Sequence, residues 1–340
     1  MPQLVRCSGR WASRLKKSHP QIKNQLLSFS FTTATTSSTS KPDSQSSSDS
    51  GRPCSPPPIQ VGFTESAGRG VFATRRIEAG ELIHTAKPIL SHPSLTSLKS
   101  VCYFCLGRLP EKIPSQTDDH VVFCSDECRK QSEGFREVEK KANWSTFFEH
   151  CHMHGLKYPL LVKRLACLVI SGAASADSLD ILQPATLSSQ MIFLMEKEFI
   201  LLRSSFQDAD ITDKQLAFLT KEWYTGALAR IRINSFRVEF AGSSYQDLFS
   251  SAAALVDSEA AVGTALYMLP SFYNHDCDPN THIIWIQNAD TRIKALREIE
   301  AGEEMRICYI DASMDYEARQ VLLFEGFGFK CNCLRCSSHD

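Results

Sequence analysis

Apolar runs of the roughly 20 residues needed to cross a bilayer are missing from these 340 residues; the best candidate, Tyr158 to Ala174, is shorter and holds Lys163 and Arg164. A membrane role is therefore not expected. Nothing at the amino terminus has the form of a secretory signal, so the thirteen cysteines are not read as a disulfide framework. Most fall into close pairs with metal-ligand spacing, which points to thiolate-bound zinc in a reducing compartment. No cluster of His, Asp and Glu would leave a metal with an open coordination position, which argues against a metal-dependent hydrolase. Internal repeats of the solenoid kind are missing as well. Acidic residues are lacking from Met1 to Pro42, a stretch that carries Arg6, Arg10, Arg14, Lys16, Lys17, Lys23 and Lys41 among many Ser and Thr. That composition fits an organellar transit peptide, for a mitochondrion or plastid; a solvated basic tail on a nuclear protein has the same composition.

Ser44 to Pro58 is a Ser/Pro-rich linker with too little apolar surface to order itself, and the folded body is expected to begin near Ile59. Residues 1–54 hold eight of the 37 Lys and Arg and two of the 38 Asp and Glu, leaving 29 basic against 36 acidic residues, a formal charge of −7. Broad, backbone-driven nucleic-acid binding is disfavoured by that sign. An acidic surface suits a basic protein partner, and it equally serves only to keep a globule soluble.

From Val61 to Ala86, short β-rich runs are broken by Gly62, Gly68 and Gly80, the rhythm of a small β domain. Helical periods follow at Leu160 to Ile170, at Ala185 to Arg203 with Met191, Leu194, Met195 and Phe199 as a core stripe, and at Thr212 to Ile231 behind a Thr-Asp cap. Strand signals return at His282 to Gln287, Thr291 to Leu296 and Met305 to Ile310. The expected class is α+β, a β fold split by a mainly helical insertion.

Cys102-x2-Cys105 followed by Cys124-x3-Cys128 supplies four thiolates in two close pairs, as a tetrahedral structural zinc requires in a segment too short to hold itself together. Cys331-x-Cys333-x2-Cys336 supplies three more, and a tetrahedral zinc there needs a fourth ligand from elsewhere. His150, Cys151, His152 and His154 stand beside a helix start, far from the first cluster, and are expected to be packed or solvated. Cys7, Cys54, Cys167 and Cys308 receive no role, Cys308 being expected as buried packing.

The run Asn274-His275-Asp276-Cys277-Asp278-Pro279-Asn280, then Tyr309 in Cys-Tyr-Ile-Asp, then the Cys331 to Cys336 cluster, resembles the SET-domain lysine methyltransferases in its order. Gly68-Arg69-Gly70 opens that resemblance. With Cys102 to Cys128 inserted, the stretch from about Ile59 to Cys336 looks like the SMYD-type branch, and within it is most similar to the plant trithorax-related SET proteins. The resemblance implies a β-rich SET fold split by a zinc finger and a helical insertion. Residues 1–54 would be the transit peptide or tail and linker, 55–98 the first SET part, 99–130 a reduced MYND-like finger, 131–233 the insertion, 234–312 the catalytic SET part and 313–340 a zinc-binding post-SET segment. The finger lacks the interleaved second ligand set of its relatives, His120 being the lone Cys or His between Leu106 and Phe123, so one zinc is expected there. Cys277 would complete the second site, giving two structural zinc ions.

The same resemblance implies S-adenosyl-L-methionine as cofactor, contacted by Gly68, Arg69, Gly70, Asn234, Asn274, His275, Tyr309 and Phe329. Tyr309 would place its hydroxyl near the transferred methyl group. Phe327 departs from the tyrosine of many relatives, removing a hydrogen-bonding group from the lysine channel and leaving room for a methylated amine. The implied partner is a protein with a target lysine, histones being the family's usual substrate class, without sequence-specific nucleic-acid binding and with a monomer as the default state. An organellar protein becomes the substrate if the amino terminus directs transit, and a non-catalytic SET and zinc scaffold is the competing class. Localisation is accordingly the nucleus, an organelle, or both.

Overall fold

Glycine-punctuated β sequence opens the fold in the computed structural model, which describes residues 56–109, 121–209, 211–240 and 261–340. The transit-like or tail segment and His120 lie outside the described residues. Strands β1 (Ile59–Thr64) and β2 (Gly68–Ala73) form an antiparallel hairpin in register from Ile59 opposite Ala73 to Thr64 opposite Gly68. The Thr64 hydroxyl accepts the Ala67 N–H at 2.9 Å and closes the three-residue loop. Strands β3 (Leu82–Ala86) and β4 (Leu90–Pro93) complete this half.

Eight helices are present among the described residues: α1 (Asp126–Gln131), α2 (Glu133–Glu139), α3 (Ser145–Met153), α4 (Tyr158–Ile170), α5 (Ser189–Gln207), α6 (Lys221–Asn234), α7 (Tyr316–Phe327) and α8 (Leu334–Ser337). Between α6 and α7 run β5 (Ser235–Val238), β6 (Gly263–Leu266), β7 (Asn274–His275), β8 (Thr281–Ile284), β9 (Thr291–Ala295) and β10 (Glu304–Ile307). Three small sheets result, ordered β1-β2-β10-β7, β3-β9-β8 and β4-β6-β5. Each joins a strand from before the helices to strands from after them. The one parallel pairing between described strands, β10 with β7, sets Arg306 against Asn274 and Ile307 against His275.

Helix α4 is buried along most of its length because it lies between β4 on one side and α2 and α6 on the others. Lys163 and Arg164, which keep this stretch from resembling a membrane span, lie within that core at 1% and 2% exposure. Lys163 pairs with Glu139 at 3.0 Å, Arg136 reaches the other Glu139 oxygen at 3.0 Å, and the Tyr103 hydroxyl donates to Glu139 at 3.2 Å. Arg164 donates to the carbonyls of Ser91 and Tyr103 and stacks on the Tyr103 ring at 4.2 Å. Thus α2, α4, β4 and the Cys102 segment share one charged core. Burial alone would raise the Glu139 carboxyl, but Lys163, Arg164 and Arg136 outweigh it and hold that group at about 2, against an ordinary 4.5. The stability this supplies is complete above pH 4.5 and is lost as the pH falls from 4.5 towards 2. Lys163→Met takes one of two ion-pair partners from the buried Glu139, leaving Arg136, and should cost up to about 3–5 kcal/mol, measured by urea unfolding at pH 7. The deficit should shrink over the same acidic window as Glu139 takes up a proton.

Two expectations need correction. The helix expected from Thr212 to Ile231 starts at Lys221: Thr212 caps a single turn, its hydroxyl donating to Gln215 at 2.8 Å, and Thr220 starts afresh by accepting the Trp223 N–H at 3.1 Å. Leu216 and Leu219 are fully buried in the turn between them, so apolar spacing runs unbroken across a broken backbone. The core stripe of α5 is also narrower than expected. Met195 is buried, Met191 and Phe199 are half-buried, and Leu194 is 58% exposed, because the face that packs is set by Met195, Glu198, Leu202, Ser205 and Phe206.

Candidate active site

Tyr309 follows β10 by two residues, and the parallel register with β7 decides what surrounds it. With His275 opposite Ile307, the imidazole reaches the Tyr309 backbone, whose N–H donates to Nδ1 at 3.0 Å. Nε2 therefore carries the ring proton, and it lies 3.3 Å from the Cys277 Sγ. Burial pushes His275 down to about 4, so the ring stays neutral. The Tyr309 hydroxyl donates to the Tyr273 carbonyl at 2.6 Å. Burial, and after it the charge of Glu304, raises this phenol above its ordinary value and keeps it a protonated donor. Tyr273 is itself held through its hydroxyl, 2.9 Å from Nε2 of His84 on β3.

Asn274, one residue before His275, ties in the glycine turn. Its amide donates to the Arg69 carbonyl at 3.0 Å and to Glu304 at 2.7 Å. Gly70 sits so close that a Cβ there would fall 2.7 Å from Glu304 Oε1 and 3.1 Å from Asn274 Nδ2, so a side chain would push the turn off β7. The Arg69 guanidinium points away from the turn, onto the Ile181 carbonyl and over the Phe272 ring at 4.6 Å. Asn234 ends α6, its amide donating to the Arg230 and Gln183 carbonyls at 2.7 and 2.8 Å.

The carboxyl-terminal segment closes over this group. Helix α7 ends at Gly328, in the left-handed conformation with φ 82°, which turns the chain between two aromatic residues. Phe327 lies 4.9 Å from the Tyr309 ring, and Phe329 lies 6.0 Å from His275 and 6.4 Å from Tyr309. A cavity of about 320 Å³ opens beside them, lined by Tyr309, Phe327 and Asn234 together with Ser271, Tyr273 and Phe236. Gly68, Arg69, Gly70, Asn274, His275 and Phe329 do not line it. Ser271 and Tyr273 are site residues that motif reading passes over, although they stand directly before Asn274. Cys308, expected as buried packing, is half-buried and lines the cavity, because its thiol turns to the Ile310 carbonyl at 3.1 Å.

Two groups of four cysteines that could each hold a metal ion occur among the described residues, with their sulfurs all within 4.8 Å of one another: Cys102, Cys105, Cys124 and Cys128, and Cys277, Cys331, Cys333 and Cys336. Thiolates at about 2.3 Å from zinc put tetrahedron edges at about 3.8 Å. Observed edges are 3.6 Å for Cys105–Cys124, 3.5 Å for Cys124–Cys128, 3.5 Å for Cys277–Cys336 and 4.0 Å for Cys277–Cys331. Both donor sets therefore fit zinc. Without a cation, burial and neighbouring thiols push Cys331 up to about 12, whereas a divalent ion favours the thiolates. Around the second group, Arg319 donates to Cys336 at 3.8 Å and His275 turns its N–H to Cys277, the kind of support that orients metal ligands. His150 and Cys151 are buried in or beside α3, His150 stacking on His154 at 4.6 Å.

The SET domain model matches residues 68–310. A relative from Arabidopsis thaliana, histone-lysine N-methyltransferase ATXR4, is 61% identical over 286 residues, covering 84% of this chain and 88% of that protein. A SET and MYND domain-containing protein of Dictyostelium discoideum is 25% identical, covering 75% and 76%. Human histone-lysine N-methyltransferase SMYD3 is 27% identical, covering 82% and 61%. Half the chain or more lies in the matched domain, with the glycine turn at its start and Tyr309 at its end, and the chain belongs to the SET-domain family.

Proposed function

We propose that this chain is a protein-lysine N-methyltransferase that uses S-adenosyl-L-methionine. The single observation that carries the reading is the convergence on Tyr309, whose hydroxyl, backbone and ring are held by Tyr273, His275 and Phe327 on the wall of an aromatic cavity. The backbone of Gly68, Arg69 and Gly70, with Asn234, Asn274, His275, Tyr309 and Phe329, would hold the cofactor. The open space at Gly68, where a Cβ would meet nothing nearer than 3.9 Å, and the half-buried Phe329 ring, a surface for a purine, fit such a ligand. When bound, it supplies an electrophilic methyl group on a sulfonium centre.

Displacement at that centre releases a neutral thioether, so the protein's task is alignment, water exclusion and supply of an uncharged amine. Tyr309, Phe327, Tyr273 and Phe236 form a wall that strips water from an entering ammonium and lowers its pKa. The Tyr309 oxygen, its proton directed to the Tyr273 carbonyl, is left with lone pairs to orient the amine. The two cysteine groups hold structural zinc. Phe327 adds no hydroxyl to this wall, so higher methylation states are allowed. Phe327→Tyr should shift the products several-fold towards monomethyl-lysine without loss of cofactor binding, as read by mass spectrometry of a methylated peptide.

Histones are the proposed substrates and the nucleus the proposed compartment, supported by the relatives whose names state histone-lysine activity. A second reading, an organellar protein substrate, is favoured by the acid-free, basic sequence from Met1 to Pro42. The test is methyl transfer from labelled S-adenosyl-L-methionine by the full chain, with core histones and a plant organelle extract as acceptors. Methyl-lysine in histones alone supports the chromatin enzyme, and methyl-lysine in an organellar band moves the function to that compartment. Binding of cofactor without any methyl-lysine in either would leave the scaffold reading.

A further inference from the structure

The cavity next to Tyr309 has a charged rim that the transfer reaction does not need. Lys157, Arg232 and Arg237 all line it, and no Asp or Glu does among the described residues. Arg237 is ion-paired with Glu239; Arg232 and Lys157 have no carboxylate partner among the described residues. Two of these cations also crowd each other. The Lys157 ammonium is pushed below its ordinary value, first by burial and then by the Arg237 charge, and it packs on the Tyr158 ring at 5.2 Å. A basic rim is unexpected on a body of formal charge −7. Of the residues proposed to hold the cofactor only Asn234 and Tyr309 line this cavity, which leaves it as the place for a protein lysine to enter.

Resting on the methyltransferase reading, we propose that Lys157, Arg232 and Arg237 select substrates whose target lysine has Asp or Glu within about two positions, in preference to a lysine in a run of basic residues. A carboxylate at the rim would meet the charge of the three cations with one of opposite sign, while a neighbouring Arg or Lys would add to it. Net acidic charge elsewhere on the body then serves solubility, not substrate choice.

The test is fluorescence anisotropy with the full-length protein saturated with S-adenosylhomocysteine, using three labelled peptides identical except that the lysine is flanked by Glu, Ser or Arg. The Glu-flanked peptide should bind about tenfold more tightly than the Ser-flanked one at low salt. The preference should weaken with added salt and disappear in the double variant Arg232→Gln/Arg237→Gln, and the Arg-flanked peptide should bind best to Arg232→Glu/Arg237→Glu. Zinc content and S-adenosylhomocysteine affinity check that the variants fold. Equal binding, tighter binding of the Arg-flanked peptide, no binding of any peptide, or a preference unchanged in the variants would overturn the proposal. Methyl transfer to the same peptides is measured in parallel: transfer without a Glu preference removes this proposal alone. A Glu preference lost in the variants, without transfer to any lysine, removes the enzyme reading alone.

Discussion

Tyr309→Phe should lower the rate of methyl transfer by at least about a hundredfold, the scale seen when one preorganised hydroxyl or amide is removed from a reacting centre. Affinity for S-adenosyl-L-methionine should stay within a few-fold, because the Tyr309 backbone N–H bond to His275 and the ring contacts with Phe327 and Phe329 are kept by phenylalanine. What disappears is a hydroxyl with one fixed partner, the Tyr273 carbonyl. Single-turnover transfer and isothermal titration with the cofactor separate the two effects. A rate within tenfold of the natural chain would mean that the amine is oriented by other groups.

Cys277→Ser should have an effect of comparable size by a different route. Structural zinc contributes roughly 10–16 kcal/mol of binding free energy that is also folding free energy, and Cys277 would be the ligand that joins the segment after residue 330 to the sheet. Zinc content should fall from two ions to one per chain, and cofactor affinity should drop by at least about a hundredfold as Phe327 and Phe329 lose their places beside Tyr309 and His275. Cys128→Ser provides the contrast. It too should lose one zinc, yet leave cofactor affinity within a few-fold, since its cluster belongs to a segment packed on β4 and α4 and not to the one that carries the two phenylalanines. Metal analysis and titration of both variants decide the point; equal loss of cofactor binding in the two would remove the special role of the second centre.

Side-chain chemistry at fixed spacing is legible in a sequence, and this is why the two sets of four cysteines could be paired off before any geometry was known. Cys277 is the instructive member, since its partners lie 54 to 59 residues further on and only the resemblance joins them. Backbone groups are not legible in this way. The acceptor of the Tyr309 hydroxyl is a carbonyl, identical at every position, so nothing in the letters marks Tyr273. Apolar periodicity likewise reports that Leu216 and Leu219 are buried but not that the helix stops there, because a turn between two Thr caps can present the same residues to the core. Lys163 and Arg164 show the converse limit. Charge kept α4 from resembling a membrane span, yet those residues are among the most buried in the protein, compensated by Glu139 from a helix more than twenty residues away.

The distance in sequence between Cys277 and Cys336 also sets a clock. Tyr309, His275 and the glycine turn are all made before the segment that brings Phe327, Phe329 and the last thiolate, and Cys336 follows Cys277 by 59 residues. Cys336 follows Tyr309 by 336 − 309 = 27 residues, so at elongation rates of about 5–20 residues per second a nascent chain spends roughly 1–5 s with Tyr309 synthesised and the last thiolate missing. Through that interval Cys277 waits without the thiolates that would tie Phe327 and Phe329 beside Tyr309 and His275.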